Sequence, residues 1–203
     1  MSRKALAVLL GAVALAALAT VALGAGGAPT RADAVSLKRK VAGITQFSDR
    51  PARQPRRTIV TENEVNAYLT FDARDQLPSG VVDPAVTIVG PGRVSGRAVV
   101  DLDVVRKQKT RSLLDPMNFA SGRLPLMATG VLKTSGGVGW FELESAALGP
   151  VPIPKIILQE IVSYYTRTAE HPAGIGLDDP FALPARIGEI QVDTGRAVVI
   201  QRP

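Results

Sequence analysis

The stretch AVTIVGPGRVSGRAVVDLDVV, residues 85–105, decides the fold class of this chain. Gly90-Pro91-Gly92 lies between two runs rich in β-branched residues, and this pattern predicts a β-hairpin. Apolar residues share one face of the second run: Val94, Ala98, Val100, Leu102 and Val104. Charged residues share the other face: Arg93, Arg97, Asp101 and Asp103. Such alternation is typical of a half-buried antiparallel strand.

Two more hairpins are predicted further along the chain. Residues 124–133 and 138–147 flank the turn Thr134-Ser135-Gly136-Gly137, and residues 187–192 and 196–201 flank Asp193-Thr194-Gly195. Three successive hairpins predict an antiparallel sheet of about six strands in a meander-like order.

A long helix is predicted at residues 154–169, because Pro154 suits a first helical position. An apolar band runs along it: Ile157, Leu158, Ile161, Val162, Tyr164, Tyr165 and Thr168. A helix this apolar needs a cover, and the sheet is the partner large enough. We therefore expect an α+β fold in which a curved antiparallel sheet wraps around one long helix.

A short N-terminal helix is predicted at TENEVNAYL, residues 61–69. Thr61 and Glu64 form a capping box, in which side chains accept hydrogen bonds from backbone N–H groups at the helix start. Val65 and Leu69 then lie on one apolar side. We expect this helix to lay the entering chain against the sheet.

The N-terminus resembles an export signal: Arg3 and Lys4 precede an uncharged run. Residues 5–24 are about long enough to span a bilayer, so the run is either cleaved or retained as an inner-membrane anchor. Ala32-Asp33-Ala34 and Leu23-Gly24-Ala25 are the candidate cleavage sites. We predict a signal or anchor at 1–34, a basic linker at 35–57, a domain at 58–203, and a location in the periplasm or cell envelope.

The predicted linker concentrates positive charge: it contains Lys38, Arg39, Lys40, Arg50, Arg53, Arg56 and Arg57 but only one acid, Asp49. Residues 35–203 hold 21 basic and 17 acidic residues, since Arg3, Lys4, Arg31 and Asp33 precede them, and so carry about +4. The basic run suits an anionic lipid surface, or it is a solvated linker. Nucleic acid is not an expected partner, because stacking aromatics are few.

Catalytic and metal chemistry finds little support in the residue types. The chain has no cysteine and one histidine, His171, which excludes disulfides, thiolate metal sites and a cysteine nucleophile. Asp101 and Asp103 would share a strand face and approach a common ligand, although bare alternation explains them equally well. We expect no enzyme, no metal and no cofactor.

A loop at residues 106–122 combines Arg106, Lys107, Lys109 and Arg111 with an apolar tip. The tip residues are Leu113, Leu114, Met117 and Phe119. Charge attracts such a loop to a bilayer, where its apolar side chains insert. The alternative is a long hairpin connection that packs back on the domain.

The apolar faces of the predicted helix and sheet either enclose a groove or fill the space between them. Periodicity does not separate these two alternatives. If a groove exists, alternation places the following residues along it: Val65, Leu69, Val100, Leu102, Leu126, Phe141, Leu143, Ile157, Ile161 and Tyr165.

The order of motifs across residues 58–201 is similar to a known family. A Thr-Glu-x-Glu helix precedes Val-Ser-Gly-Arg-Ala-Val-Val-Asp-Leu-Asp; Gly-Pro-Val-Pro-Ile-Pro then precedes a helix, and Pro-Phe-x-Leu-Pro precedes a closing Gly-Arg-Ala-Val-Val hairpin. This order resembles bacterial tubular lipid-binding (TULIP-like) envelope proteins, including LmeA-like phospholipid-binding domains. The resemblance implies a curved sheet around a long helix, with an apolar groove for lipid chains and no catalytic motif.

Three functional hypotheses follow. The first is an exported protein that binds phospholipid or another acyl lipid in lipid transport or envelope maintenance. The second is a membrane-tethered interaction module with a filled core, acting with an envelope protein partner or as a homo-oligomer. The third is a lipid hydrolase or transferase that uses Asp101, Asp103 or His171.

Overall fold

The computed structural model describes residues 27–107, 121–165, 167, 172–174 and 176–203. Its helices are Arg31–Asp49 (α1), Glu62–Phe71 (α2), Leu102–Lys107 (α3) and Lys155–Tyr165 (α4). Its strands are Arg56–Thr61 (β1), Val81–Ile88 (β2), Arg93–Asp101 (β3), Arg123–Ser135 (β4), Val138–Leu148 (β5), Val151–Pro152 (β6), Phe181–Ala182 (β7), Ile187–Asp193 (β8) and Arg196–Gln201 (β9). The described chain is therefore α+β. Within these ranges no helix has the length and apolarity to cross a membrane, and residues 5–24 lie outside them.

The strands form two antiparallel sheets. The larger has the order β2-β3-β4-β5-β6, with β7 also paired to β5, and the smaller has the order β1-β9-β8. All three predicted hairpins are confirmed as β2/β3, β4/β5 and β8/β9. The prediction of one meander sheet is wrong, because the last hairpin pairs with β1 in a sheet of its own.

Hydrogen bonds near β8 join the two sheets. Thr134 Oγ1 accepts from Ile190 N at 2.7 Å and donates to Ile190 O at 3.0 Å. Gly92 N donates to Val192 O at 3.1 Å. The sheets are thus held together by paired polar groups as well as by apolar packing.

The α2 helix forms as predicted and covers the free edge of β2. The Thr61–Glu64 capping box is present. Asn66 exchanges two hydrogen bonds with the backbone of Val86, at 2.6 and 2.8 Å, and Glu62 accepts from Ile88 N at 2.7 Å. These side chains satisfy strand groups that an exposed edge would leave unpaired.

Most of the predicted linker is helical, so that prediction is wrong. The α1 helix runs for 19 residues, and its own capping box pairs Thr30 with Asp33. Its buried residues are spaced by three, seven and three positions, which places them on one helix face: Ala34, Leu37, Ile44 and Phe47. Burial of this stripe outweighs the charge density that suggested a solvated linker.

The predicted strand through Val104 is also wrong, because β3 ends at Asp101 and α3 begins at Leu102. Asp101 Oδ1 accepts from Val104 N at 3.2 Å, as a residue that caps a helix start does. Asp103 Oδ2 accepts from Gly122 N at 3.1 Å. The two carboxylates therefore serve separate backbone groups and do not share a strand face.

The helix predicted at 154–169 is present as α4 over 11 residues. Leu158 and Val162 pack against Ala128 and Ala146 of the larger sheet. The sheet is not strongly curled and the described chain shows no single long helix at its centre, so the wrapped arrangement is not observed. The longest described helix is α1. Buried side chains of α1 belong to one hydrophobic cluster, and those of α4 belong to a second, separate cluster.

Candidate functional site: an apolar cavity

A cavity of about 150 Å³ lies among α1, α2 and both sheets. Nearly every lining side chain is aliphatic or aromatic; the lining residues are Leu37, Val41, Ile44, Thr45, Val60, Val65, Val86, Ile88, Val94, Leu132, Phe141, Phe181, Pro184, Ala185, Ile187, Ile190, Val192, Ala197 and Val199. An engineered protein cavity of about this volume and lining stays dry and binds benzene. The site thus has the size and chemistry for one ring or a short alkyl segment.

The α1 helix supplies one wall of the cavity. Leu37, Val41 and Ile44 line it at spacings of four and three residues, which place them on one helix face. Arg56 also holds this helix: its Nη1 donates to Gly43 O at 3.0 Å, and its guanidinium lies 6.0 Å from the Phe47 ring centroid. Residues 37–45 therefore belong to the site.

Two phenyl rings in the cavity wall occupy space left by glycines. A Cβ on Gly139 would lie 2.6 Å from the Phe181 ring, and a Cβ on Gly130 would collide with the Phe141 ring. Both rings line the cavity. The two glycines are required because any side chain at these positions would displace a ring.

A buried carboxylate fixes α1 against α2. Glu64 is only 5% exposed. It accepts from Ser36 Oγ at 2.6 Å, from Lys40 Nζ at 2.7 Å and from Thr61 N at 2.9 Å. Burial raises the pKa of Glu64, but the hydrogen bonds and the Lys40 charge outweigh this, so the pKa lies below its ordinary value.

Gln201 ties α1 to the C-terminal strand behind the cavity wall. This residue is fully buried, and its Nε2 donates to Ile44 O at 2.8 Å and to Ala185 O at 2.7 Å. Its Oε1 is buried and has no hydrogen-bond partner among the described residues. Ile44 and Ala185 both line the cavity, so Gln201 positions two parts of the wall.

The structure brings together two of the predicted groove residues, Val65 and Phe141, at the cavity. Leu69 is buried in the same core cluster, whereas Leu143 packs near α4. Leu102 is buried at the start of α3. The predicted site thus divides between two parts of the core.

The remaining predicted residues lie elsewhere or are not described. Val100 and Leu126 are half-buried at the ends of β3 and β4 that lie away from the cavity, and Ile157 is 45% exposed on α4. The side chains of Ile161 and Tyr165 lie outside the described part of the chain. The same is true of the predicted membrane-contact residues, Leu113, Leu114, Met117 and Phe119, and of His171.

Sequence reasoning missed the α1 wall, although signals for it exist. Ala34, Leu37, Val41, Ile44 and Phe47 follow a helical period, and Thr30 with Asp33 forms a capping box just before them. The high density of basic residues at 35–57 led to the prediction of a linker. Periodicity was the more informative signal here.

Metal ligands do not converge in the described structure, where no group of three or more His, Asp or Glu side chains could hold an ion.

Comparison with protein-family models, with curated proteins and with solved structures found no match. The function of this chain is therefore inferred from the cavity and the residues around it.

Proposed function

We propose that this chain is an exported envelope protein that binds phospholipid or another acyl lipid by enclosing an apolar segment of the lipid in the cavity. The observation that carries the proposal is the cavity of about 150 Å³ with an almost wholly apolar lining. Each buried methylene contributes about 0.8 kcal/mol, so affinity arises without specific polar contacts. The protein acts in lipid transport or envelope maintenance and performs no chemistry on the lipid.

The cavity volume limits what enters it. A space that suits one benzene ring holds the end of an acyl chain, while the rest of the lipid and its headgroup stay outside. Arg39, Arg50 and Arg53 are exposed along or just beyond α1. Basic residues near a membrane surface favour anionic lipids, so an anionic headgroup is the expected neighbour of this helix.

Export and family membership rest on the sequence. The basic start and apolar run at 5–24 support export, and the motif order over 58–201 supports relationship to TULIP-like proteins. The family's sheet wrapped around a long helix is not needed for this proposal, because the cavity lies between α1, α2 and two sheets.

Native mass spectrometry after gentle extraction, followed by uptake from liposomes of anionic and neutral phospholipid, tests the proposal. We expect co-purified lipid or uptake. Leu37→Phe should fill the cavity and reduce uptake, whereas Val35→Phe, on the exposed side of the same helix, should not. Lipid-free protein with no uptake, or equal uptake by both variants, would contradict the proposal.

A second candidate is a protein-interaction module, and an exposed apolar surface favours it. Val151, Ile156 and Ile157 are 62%, 68% and 45% exposed around the start of α4. Exposed apolar groups that lie together mark interaction surfaces. If Ile156→Asp abolishes a partner cross-link or self-association while lipid uptake is absent in all variants, this second function is favoured.

A further inference from the structure

We infer that Phe141 sets the length of the apolar segment that the cavity accepts, by separating the cavity from the apolar space beneath α4. The inference rests on the proposed function and deepens it. Phe141 lines the cavity, while Leu143, two residues further on the same strand, packs against the cluster beneath α4. Phe141 thus lies at the boundary between the two halves of the core.

Strand register shows how the boundary is built. Leu132 pairs with Phe141, Gly130 with Leu143 and Ala128 with Ala146. Alternate residues of β4 share a face. Along that face the cavity residue Leu132 is followed by Gly130, which has no side chain, and then by Ala128.

The Phe141 ring fills the place that a side chain at Gly130 would otherwise take. Beyond it stand the small side chains of Ala128 and Ala146, with Leu158 of α4 packed on them. On β4 the small residues leave the Phe141 ring as the bulky group between the cavity and the α4 cluster, whose nearest member on β5 is Leu143, paired with Gly130. Removing the ring therefore extends the cavity along the sheet toward Ala146.

The expected gain is large relative to the cavity itself. A phenyl ring has the size of benzene, which is also about the size of ligand that a cavity of this volume holds. Deleting it should therefore roughly double the apolar space. Each further buried methylene then raises affinity by about fourfold.

Binding of butanol, octanol and dodecanol by calorimetry measures the length limit on the full chain. In the native protein we expect affinity to stop rising at a short chain. In Phe141→Ala it should continue to rise, by about fourfold per added methylene. Phe141→Leu is a milder variant that should give an intermediate limit if the Ala variant does not fold.

Two matched variants distinguish the opening of a path toward Ala146 from a simple loss of side-chain volume in the cavity wall. Phe181→Ala removes the same ring from the same cavity but beside Gly139 and β7, where Ala128 and Ala146 do not continue the space, so it should lengthen the accepted chain less than Phe141→Ala does. Phe141→Ala combined with Ala146→Leu refills the extension and should restore the native limit. An unchanged limit in Phe141→Ala, or an equal extension in Phe181→Ala, overturns the inference.

A crystal of Phe141→Ala under xenon keeps this test independent of the proposed function. Xenon sites reaching Ala146 support Phe141 as the barrier even if the native protein binds no alcohol and takes up no lipid, a result that would remove the proposed function alone. Xenon confined beside Val94 and Leu132, together with normal lipid uptake by the native protein, would overturn the inference and leave the function standing.

Discussion

Lys40 and Glu64 form an ion pair that joins the first two helices: Lys40 Nζ lies 2.7 Å from one carboxylate oxygen of Glu64 and 2.6 Å from the other. Ser36, one turn earlier on α1, donates to the same carboxylate. Glu64 also caps α2 through Thr61 N. A single side chain thus completes a helix cap and anchors the helix that forms the cavity wall.

Glu64→Gln should lower the free energy of unfolding at pH 7 by about 1–3 kcal/mol, because the buried partners lose a charged acceptor. The folded-state pKa of Glu64 is lowered, so its contribution is fully present above the ordinary pKa of a glutamate in the unfolded chain. It is lost as pH falls through the folded pKa. Chemical denaturation across pH measures this.

The matched control for Glu64 is Glu142→Gln, since Glu142 pairs with Lys133 where both side chains are exposed. An exposed pair contributes little, about 0–1 kcal/mol. If the two variants lose the same stability at pH 7, the account of Glu64 as the link between the helices is wrong.

Gln201→Met should destabilise the protein by about 1–3 kcal/mol, because the buried carbonyls of Ile44 and Ala185 lose their donor. Gln46→Met, on the exposed side of α1, should leave thermal stability nearly unchanged. Differential scanning calorimetry of both variants checks this. Equal melting temperatures for the two variants would show that Gln201 does not hold α1 to the C-terminal strand.

Gly139→Ala should cost about 1–3 kcal/mol of stability, since the added methyl displaces the Phe181 ring. Adding Phe181→Ala should make the glycine substitution nearly neutral, which a double-mutant cycle measures as coupling between the two positions. Gly90→Ala is the control, because its Cβ would meet no atom closer than 3.9 Å. Absence of coupling would mean that the Phe181 ring is not the reason why position 139 needs a glycine.

Signal cleavage, if the protein is exported, should occur at Leu23-Gly24-Ala25 and not at Ala32-Asp33-Ala34. Cleavage after Ala34 would remove Thr30, which caps α1. It would also remove the first turn of the helix, including the buried Ala34. Mass measurement of the protein recovered from the envelope decides between these two sites. A mature N-terminus at residue 35 would contradict the role of Thr30 in the folded protein.

The sequence predicted those elements whose signals are local. The three hairpins and the Thr61–Glu64 cap depend on turn residues and capping residues that lie within a few positions of each other. Asp101 was different, because the same residue type suits both the outer face of a strand and a helix cap. Its hydrogen bond to Val104 N, visible only in the fold, decides between them.

The cavity could be predicted only in part. Val65 was predicted from the apolar side of its helix and Phe141 from strand alternation, but their partners Leu37 and Val199 belong to segments more than 150 residues apart. Alternation shows which side of a strand is apolar and gives no information about which distant element covers it. The division into two sheets was missed for the same reason, since β1 and β9 pair across almost the whole domain.

The pairing of β1 with β9 has a consequence for the order in which the protein is made. Ile44 and Gln201, joined by a hydrogen bond, are 157 residues apart, so the cavity wall is incomplete until the last strand has left the ribosome. Contacts of such long sequence separation form slowly. During synthesis α1 therefore lacks the strand that ties it to the cavity wall until Gln201 has left the ribosome.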